Sequence, residues 1–181
     1  MPDALNLGFG PYAAPRQGVL VVFCNDGLKF GPATARALGS AVGLVARAAK
    51  VDRFTGKKGS GLDLIMPEGL KVARLAVVGA GKPGELTPND FVTLGGAAMG
   101  KLPASAAEAT VFAELPGGMR ADRAADLAQG IALRAYVFDR YKTKRKDEDK
   151  PPASRKVTVC VSDVAAARSA YASRAAVAKG V

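Results

Sequence analysis

One stretch, Gly130-Ile-Ala-Leu-Arg-Ala-Tyr-Val-Phe-Asp-Arg-Tyr-Lys-Thr-Lys-Arg-Lys146, joins a helix pattern to a run of basic residues. Up to Phe138 the apolar residues recur every three or four positions, which predicts a helix over Ala121–Phe138 with one buried face: Ala124, Leu127, Ala128, Ile131, Ala135 and Phe138. From Asp139 onward the apolar face is replaced by cations that a packed core cannot take in. The stretch therefore predicts a core helix that leads into a solvated basic segment.

The composition indicates one soluble domain of ordinary size. The chain has 181 residues, of which 49% are hydrophobic, enough for a real core. No apolar stretch approaches the roughly 18 residues of a membrane-spanning helix, and Met1-Pro-Asp-Ala lacks the plan of a secretory signal. We therefore expect a cytoplasmic protein without a membrane partner.

The residue types restrict the chemistry. Histidine is absent, which removes the commonest general base and the commonest transition-metal ligand. The two cysteines, Cys24 and Cys160, lie inside apolar runs and are expected to be free, buried thiols. Acidic residues cluster at Asp147–Asp149, without the glycines or the spacing of a calcium site.

Basic charge is concentrated near the end of the predicted helix. The formal net charge is +10, and residues 140–156 contain eight basic and three acidic residues, a local net charge of +5. Such a segment can attract nucleic acid by displacing counterions from phosphates, or it can simply be a solvated loop. The candidate nucleic-acid contacts are Lys142, Lys144, Arg145 and Lys146.

Strand and helix patterns alternate along the chain. Apolar or alternating runs predict strands at Ala4–Phe9, Gly18–Cys24, Leu62–Met66, Val72–Gly79, Glu108–Ala113 and Lys156–Val161. Helical spacing predicts one or two helices over Pro32–Lys50, one that begins at the cap Thr87, the helix over Ala121–Phe138, and one from the cap Ser162 to about Lys179. The fold class predicted is α/β, a three-layer α/β/α sandwich with a mixed sheet of about six strands.

Two glycine-rich loops have alternative interpretations. The loop Arg53–Gly61 can be an anion cradle or a β-turn before the next strand, and its glycine spacing favours the turn. Val78-Gly-Ala-Gly-Lys82 follows a strand but lacks the full nucleotide-loop pattern, and Pro83 prevents an immediate helix.

Three motifs resemble one known family. The positions Gly-x-x-Leu-x-x-Tyr-x-Phe-Asp-x-Tyr-Lys are similar to the signature that closes the amino-terminal domain of the leucyl aminopeptidase (cytosol aminopeptidase) family: Gly130, Leu133, Tyr136, Phe138, Asp139, Tyr141 and Lys142. Phe54–Gly59 resembles the Phe-x-Gly-Lys-x-Gly run of that family. Val78–Lys82 resembles its strand end Val-Gly-x-Gly-Lys.

The resemblance implies that this chain is one domain of a larger enzyme whose catalytic site lies in another domain. It implies a macro-like amino-terminal domain over residues 1–161, and a connector helix over residues 162–181 that leads toward a catalytic domain absent from this sequence. Members of the family are hexameric metallo-exopeptidases that remove amino-terminal residues such as leucine. Their two divalent ions, manganese or zinc, are held in the second domain, so no catalytic or metal-binding residue is expected here. Some bacterial members also bind DNA.

Two other functional classes stay open from the sequence. The first is a free-standing macro-type module that binds ADP-ribose or a related nucleotide, with Val78–Gly81 facing the phosphates. The second is a stand-alone regulator that has kept the domain and lost the enzyme.

Overall fold

The computed structural model describes residues 4–140, 152 and 154–179, with side chains described for residues 5–136, 152 and 154–176. Within those residues the chain forms six strands: β1 (Ala4–Gly10), β2 (Val19–Cys24), β3 (Gly61–Ile65), β4 (Arg74–Gly79), β5 (Glu108–Phe112) and β6 (Ser154–Cys160). The same part of the chain contains five α-helices: α1 (Pro32–Leu38), α2 (Ala41–Asp52), α3 (Pro88–Gly100), α4 (Ala121–Arg140) and α5 (Val164–Lys179).

The strands form one mixed sheet in the order β1-β6-β5-β2-β4-β3. Neighbours are parallel except at the edge, where β3 is antiparallel to β4. β2 lies between β5 and β4, and all six of its residues are buried. A strand covered on both faces carries apolar residues at every position, which explains the unbroken run Val19–Cys24. The predicted mixed sheet with this run inside it is confirmed.

Helices cover both faces of the sheet. Alternate side chains of β2 enter two separate cores: Leu20, Val22 and Cys24 enter one, and Val19, Val21 and Phe23 the other. Leu38 of α1 and Val45 of α2 complete the first core, whereas Leu94, Leu127 and Ala167 bring α3, α4 and α5 to the second. The predicted three-layer α/β/α sandwich is confirmed, and its description as macro-like stays a prediction.

The segment predicted as one or two helices forms two. α1 ends at Leu38, the capping residue Gly39 that follows it has a φ of 52°, and α2 begins at Ala41. Glycine has no Cβ and adopts positive φ without steric cost, so the helix breaks at this position.

α3 begins at its predicted cap. The hydroxyl of Thr87 accepts a hydrogen bond from the Asp90 amide at 3.3 Å, and the Asp90 carboxylate accepts one from the Thr87 amide at 2.8 Å. This reciprocal pair is a capping box, with Pro88 in the first turn. The hydrogen bond from the Thr87 amide, together with Lys58 at 2.9 Å, lowers the pKa of Asp90 to about 2.

α5 is capped by a different residue from the one predicted. The helix begins at Val164, and Oδ1 of Asp163 accepts a hydrogen bond from the Ala166 amide at 3.0 Å. The prediction of Ser162 as the cap is wrong because the helix starts later in the chain, so that Asp163 is the residue that reaches the free amides of the first turn.

No helix within the described residues is long and apolar enough to cross a membrane.

Candidate functional site at the carboxyl edge of the sheet

Two of the three motifs meet where β2 and β4 end. Backbone hydrogen bonds join the loop after α2 to the end of β4. The Gly79 amide donates to the Ser60 carbonyl at 2.8 Å, and the Gly59 amide donates to the Gly79 carbonyl at 2.9 Å. The Gly81 amide donates to the Gly56 carbonyl at 2.9 Å. The loop after β2 joins them, because the Asp26 amide donates to the Gly81 carbonyl at 3.0 Å. We call residues 25–31, 53–60 and 79–87 the carboxyl-edge loops.

Glycine is required where these loops touch. Gly56 has a φ of 81°, and a Cβ built on it would overlap the carbonyl oxygen of Asn25. A Cβ on Gly79 would overlap the carbonyl oxygen of Lys57. The glycines of the two motifs therefore serve close packing of backbone against backbone.

The same hydrogen bonds decide whether the loop after β4 can hold a phosphate. A phosphate cradle needs backbone amides that face the ligand and have no other partner. The amides of Gly79, Ala80 and Gly81 donate instead to the carbonyls of Ser60, Cys24 and Gly56, in that order. These three amides are not available to a nucleotide, which argues against the ADP-ribose alternative.

The loop Arg53–Gly61 contains the predicted β-turn. The Ser60 amide donates to the Lys57 carbonyl at 3.0 Å, which closes the turn. A cleft of about 220 Å³ lies beside it, and its charged lining residues are Lys57, Lys58, Lys82, Asp26 and Glu85. Since the Lys58 ammonium is already paired with Asp90, the two acids offset the remaining lysines and the cleft has little net charge.

Glu114 is a buried acid at this edge that was not predicted. It is 6% exposed, and its carboxylate accepts hydrogen bonds from the Ala33 amide at 3.1 Å, the Thr34 amide at 2.7 Å and the Thr34 hydroxyl at 2.8 Å. The carboxylate therefore satisfies the first turn of α1 from inside the protein. The signal in the sequence is a lone acid in the otherwise apolar run Val111–Leu115.

Three protonatable side chains near this edge are held in their neutral forms. The Tyr12 hydroxyl donates to the Ala113 carbonyl at 2.8 Å, and burial, helped by the nearby Glu114 charge, raises the pKa of Tyr12 well above its usual range. Burial also raises the pKa of the Cys24 thiol to about 12 and shifts the pKa of Cys160 upward. Both cysteines are free and buried, as predicted.

The third motif lies on α4, and only its first part is described. A Cβ on Gly130 would overlap the Val92 carbonyl oxygen, so α3 and α4 cross with their backbones in contact. Leu133 is half-buried and Tyr136 is 46% exposed, so neither residue lies fully within the core. The remaining predicted positions lie outside the described side chains: Phe138, Asp139, Tyr141, Lys142, Lys144, Arg145 and Lys146.

An ionic cluster joins α4 to α5. Oδ1 of Asp126 accepts a hydrogen bond from Nε of Arg174 at 2.6 Å, and Oδ2 accepts one from Nη1 of Arg123 at 2.8 Å. The Asp126 side chain is 9% exposed. A pairing between residues 48 positions apart leaves no pattern in a single sequence, and the helical spacing places Asp126 off the predicted buried face.

The described side chains do not fit a metal pair. Among them, no group of three or more His, Cys, Asp or Glu residues lies close enough to hold an ion. The buried acids Glu114 and Asp126 already accept hydrogen bonds on both carboxylate oxygens. A zinc or manganese site needs several converging donors that are free to bind the ion, and this part of the chain does not provide them.

Solved structures share the fold. A mutant of tomato leucine aminopeptidase matches with a TM-score of 0.73 at 18% identity, covering 99% of this chain and 37% of its own. The bottromycin maturation enzyme BotP in complex with Mn matches with a TM-score of 0.57 at 22% identity, covering 90% of this chain and 30% of its own. At these identities the likeness establishes the fold alone.

Proteins found by sequence comparison are more similar to this chain than these solved structures are. A probable cytosol aminopeptidase of Rhodopseudomonas palustris (strain TIE-1) is 52% identical over the whole chain, and one of Afipia carboxidovorans is 50% identical. One of Nitrobacter hamburgensis is 50% identical over 95% of the chain. The chain spans 36%, 36% and 35% of the lengths of these relatives. Residues 21–145 match the model of the cytosol aminopeptidase family, N-terminal domain. The chain therefore belongs to the cytosol aminopeptidase family, to the part that forms its N-terminal domain.

Proposed function

We propose that this chain is the non-catalytic amino-terminal domain of a leucyl aminopeptidase-like metallo-exopeptidase, which removes amino-terminal residues such as leucine from peptides. The observation that carries the proposal is that probable cytosol aminopeptidases match along the whole chain while the chain spans 36% of their length. The described residues also lack a group of metal-binding side chains. In this account the hydrolysis, with two divalent ions of manganese or zinc, belongs to the remaining part of such a protein.

The domain acts by packing and positioning in this proposal. Residues 1–161 are proposed as the macro-like amino-terminal domain. Residues 162–181, whose helix α5 also packs on α4, act as a connector toward the catalytic domain, in a protein that assembles as a hexamer in the cytoplasm. Exposed apolar surface supports a packing role: Ile65 and Met66 are 71% and 74% exposed. Ile65 also lines a cleft of about 650 Å³ with Val19, Ala73 and Pro103 at the opposite edge of the sheet. Apolar surface of this kind is typical of regions that a partner covers.

Hydrolysis of leucine p-nitroanilide tests the proposal. The purified 181-residue chain, supplied with Mn²⁺ or Zn²⁺, is expected to release no more p-nitroaniline than buffer does, because the metal-binding groups lie elsewhere. The full-length probable cytosol aminopeptidase of Rhodopseudomonas palustris (strain TIE-1), assayed in the same way, serves as the comparison. Metal-dependent release that elutes with the chain and scales with its concentration contradicts the proposal.

DNA binding is a second proposed role, and the local charge of +5 over residues 140–156 favours it. Replacing Lys142, Lys144, Arg145 and Lys146 by Gln is expected to weaken binding to duplex DNA and to flatten its dependence on salt. The log–log slope should fall by roughly 0.9 for each phosphate that the variant no longer neutralises. Fluorescence anisotropy between low and physiological salt measures both the affinity and the slope.

The matched control for DNA binding removes four exposed cations elsewhere: Lys29, Lys50, Lys57 and Lys82. It changes the net charge by the same amount and leaves the basic segment intact, so its binding should be weakened less. Equal weakening in the two variants, or binding that does not respond to salt, contradicts the assignment.

The ADP-ribose alternative is not favoured, because the amides it requires are engaged within the chain. Calorimetric titration with ADP-ribose is expected to show no heat of binding. Saturable heat with one site per chain would reinstate that alternative.

A further inference from the structure

α5 has little apolar surface with which to hold its place. Alanine and serine make up most of its sequence from Val164 to Lys179. Its described apolar contacts with the core come from Ala167, which is fully buried, and from Val164 and Tyr171, which are partly buried. The Tyr171 ring meets the Phe9 ring edge-on with centroids 5.5 Å apart. Because stabilisation by burial scales with apolar area, these contacts alone hold α5 weakly.

Asp126 supplies a second kind of attachment. Each of its carboxylate oxygens binds one guanidinium, that of Arg174 on α5 at 2.6 Å and that of Arg123 on α4 at 2.8 Å. The Arg174 guanidinium is held in turn by the Ala170 carbonyl of its own helix at 2.6 Å. The Asp126 side chain is 9% exposed, whereas those of Arg123 and Arg174 are 30% and 24% exposed. Removing the buried carboxylate therefore leaves two partly exposed cations close together without the charge that held both of them.

We propose that Asp126 is a latch that fixes the orientation of α5 on α4. Without its charge, α5 leaves the domain as a unit while the sheet and α1–α4 stay folded. An undocked alanine-rich helix of 16 residues is marginal in water and frays. The latch does not depend on the proposed aminopeptidase function, since it concerns contacts within this chain.

Hydrogen exchange of the 181-residue chain tests the latch. In D126N the amides of α5 are expected to exchange at least about tenfold faster, while those of β2 exchange at the wild-type rate. R174Q, which removes the partner on α5, should give the same pattern. The double variant should exchange no faster than the stronger single variant, because the two changes remove one interaction.

D122N is the matched control. Asp122 lies on the same helix as Asp126 and forms ion pairs with Arg123 of α4 and with Arg120, which immediately precedes α4. Neither of these pairs joins α4 to α5. The α5 amides of this variant should exchange within about twofold of wild type. Wild-type exchange of α5 in D126N or R174Q overturns the latch. Equal acceleration of α5 and β2 also overturns it, because Asp126 would then stabilise the whole domain.

Discussion

Gly130 allows the backbones of α3 and α4 to touch, and replacing it with alanine tests that contact by adding one methyl group. In G130A the new Cβ meets the Val92 carbonyl oxygen, so the helices must separate. We expect the free energy of unfolding to fall by about 2 kcal/mol or more, measured by urea denaturation. The control is G43A in α2, where the nearest atom to a new Cβ is Nη1 of Arg47 at 3.7 Å. That change should stabilise by about 0.5 to 1 kcal/mol. Unchanged stability of G130A contradicts the contact.

Glu114 is a second single residue with a measurable role. In E114Q an amide replaces a carboxylate that accepts three hydrogen bonds. Whichever way the new side chain turns, its NH2 group faces the backbone amide of Ala33 or of Thr34, which is also a donor. We expect a loss of about 1 to 3 kcal/mol in the free energy of unfolding. E108Q is the control, because Glu108 accepts a hydrogen bond from the exposed Gln17 side chain. Equal stability of E114Q and wild type would refute this role.

At the level of the helix, the cap of α3 predicts a pH dependence. The native pKa of Asp90 is about 2, below its ordinary value of 3.8, so the unfolded chain binds the proton more readily than the native one. The stabilisation from Asp90 is therefore fully present above about pH 4 and is lost as the pH falls through about 2. The unfolding temperatures of wild type and D90N should differ most at pH 5, and the difference should shrink steadily as the pH is lowered toward 2. A difference that is independent of pH contradicts the capping role.

Local patterns account for the elements that the sequence predicts well. The unbroken apolar run of β2, the break at Gly39 and the cap at Thr87 each depend on neighbours within a few positions. The predicted cap of α5 is wrong because Ser162 and Asp163 are both good caps, and the choice between them depends on where the helix starts.

Contacts between distant elements could not be predicted. Glu114 meets Thr34 across 80 positions and Asp126 meets Arg174 across 48. The residues next to Glu114 and Asp126 in the sequence do not indicate which distant residue each acid will contact. The meeting of the glycine motifs at the carboxyl edge also depends on the order of β2 and β4 in the sheet, which follows from the fold and not from the motifs themselves.

For the molecule as a whole, glycines and buried acids serve the architecture. The amides of the loop after β4 bind carbonyls, Glu114 binds the start of α1, and Asp126 binds two arginines. The groups that resemble a site are thus already satisfied within the described chain. A domain of this kind contributes surface and geometry to a larger enzyme, as proposed above.

The most direct test is metal binding by the chain itself. After equilibrium dialysis against Mn²⁺ or Zn²⁺ at micromolar concentration, metal analysis of the 181-residue chain should find no more ion than a protein without metal sites retains. Retention of two ions per chain, bound tightly enough to survive gel filtration, would contradict the claim that the catalytic metal site lies elsewhere.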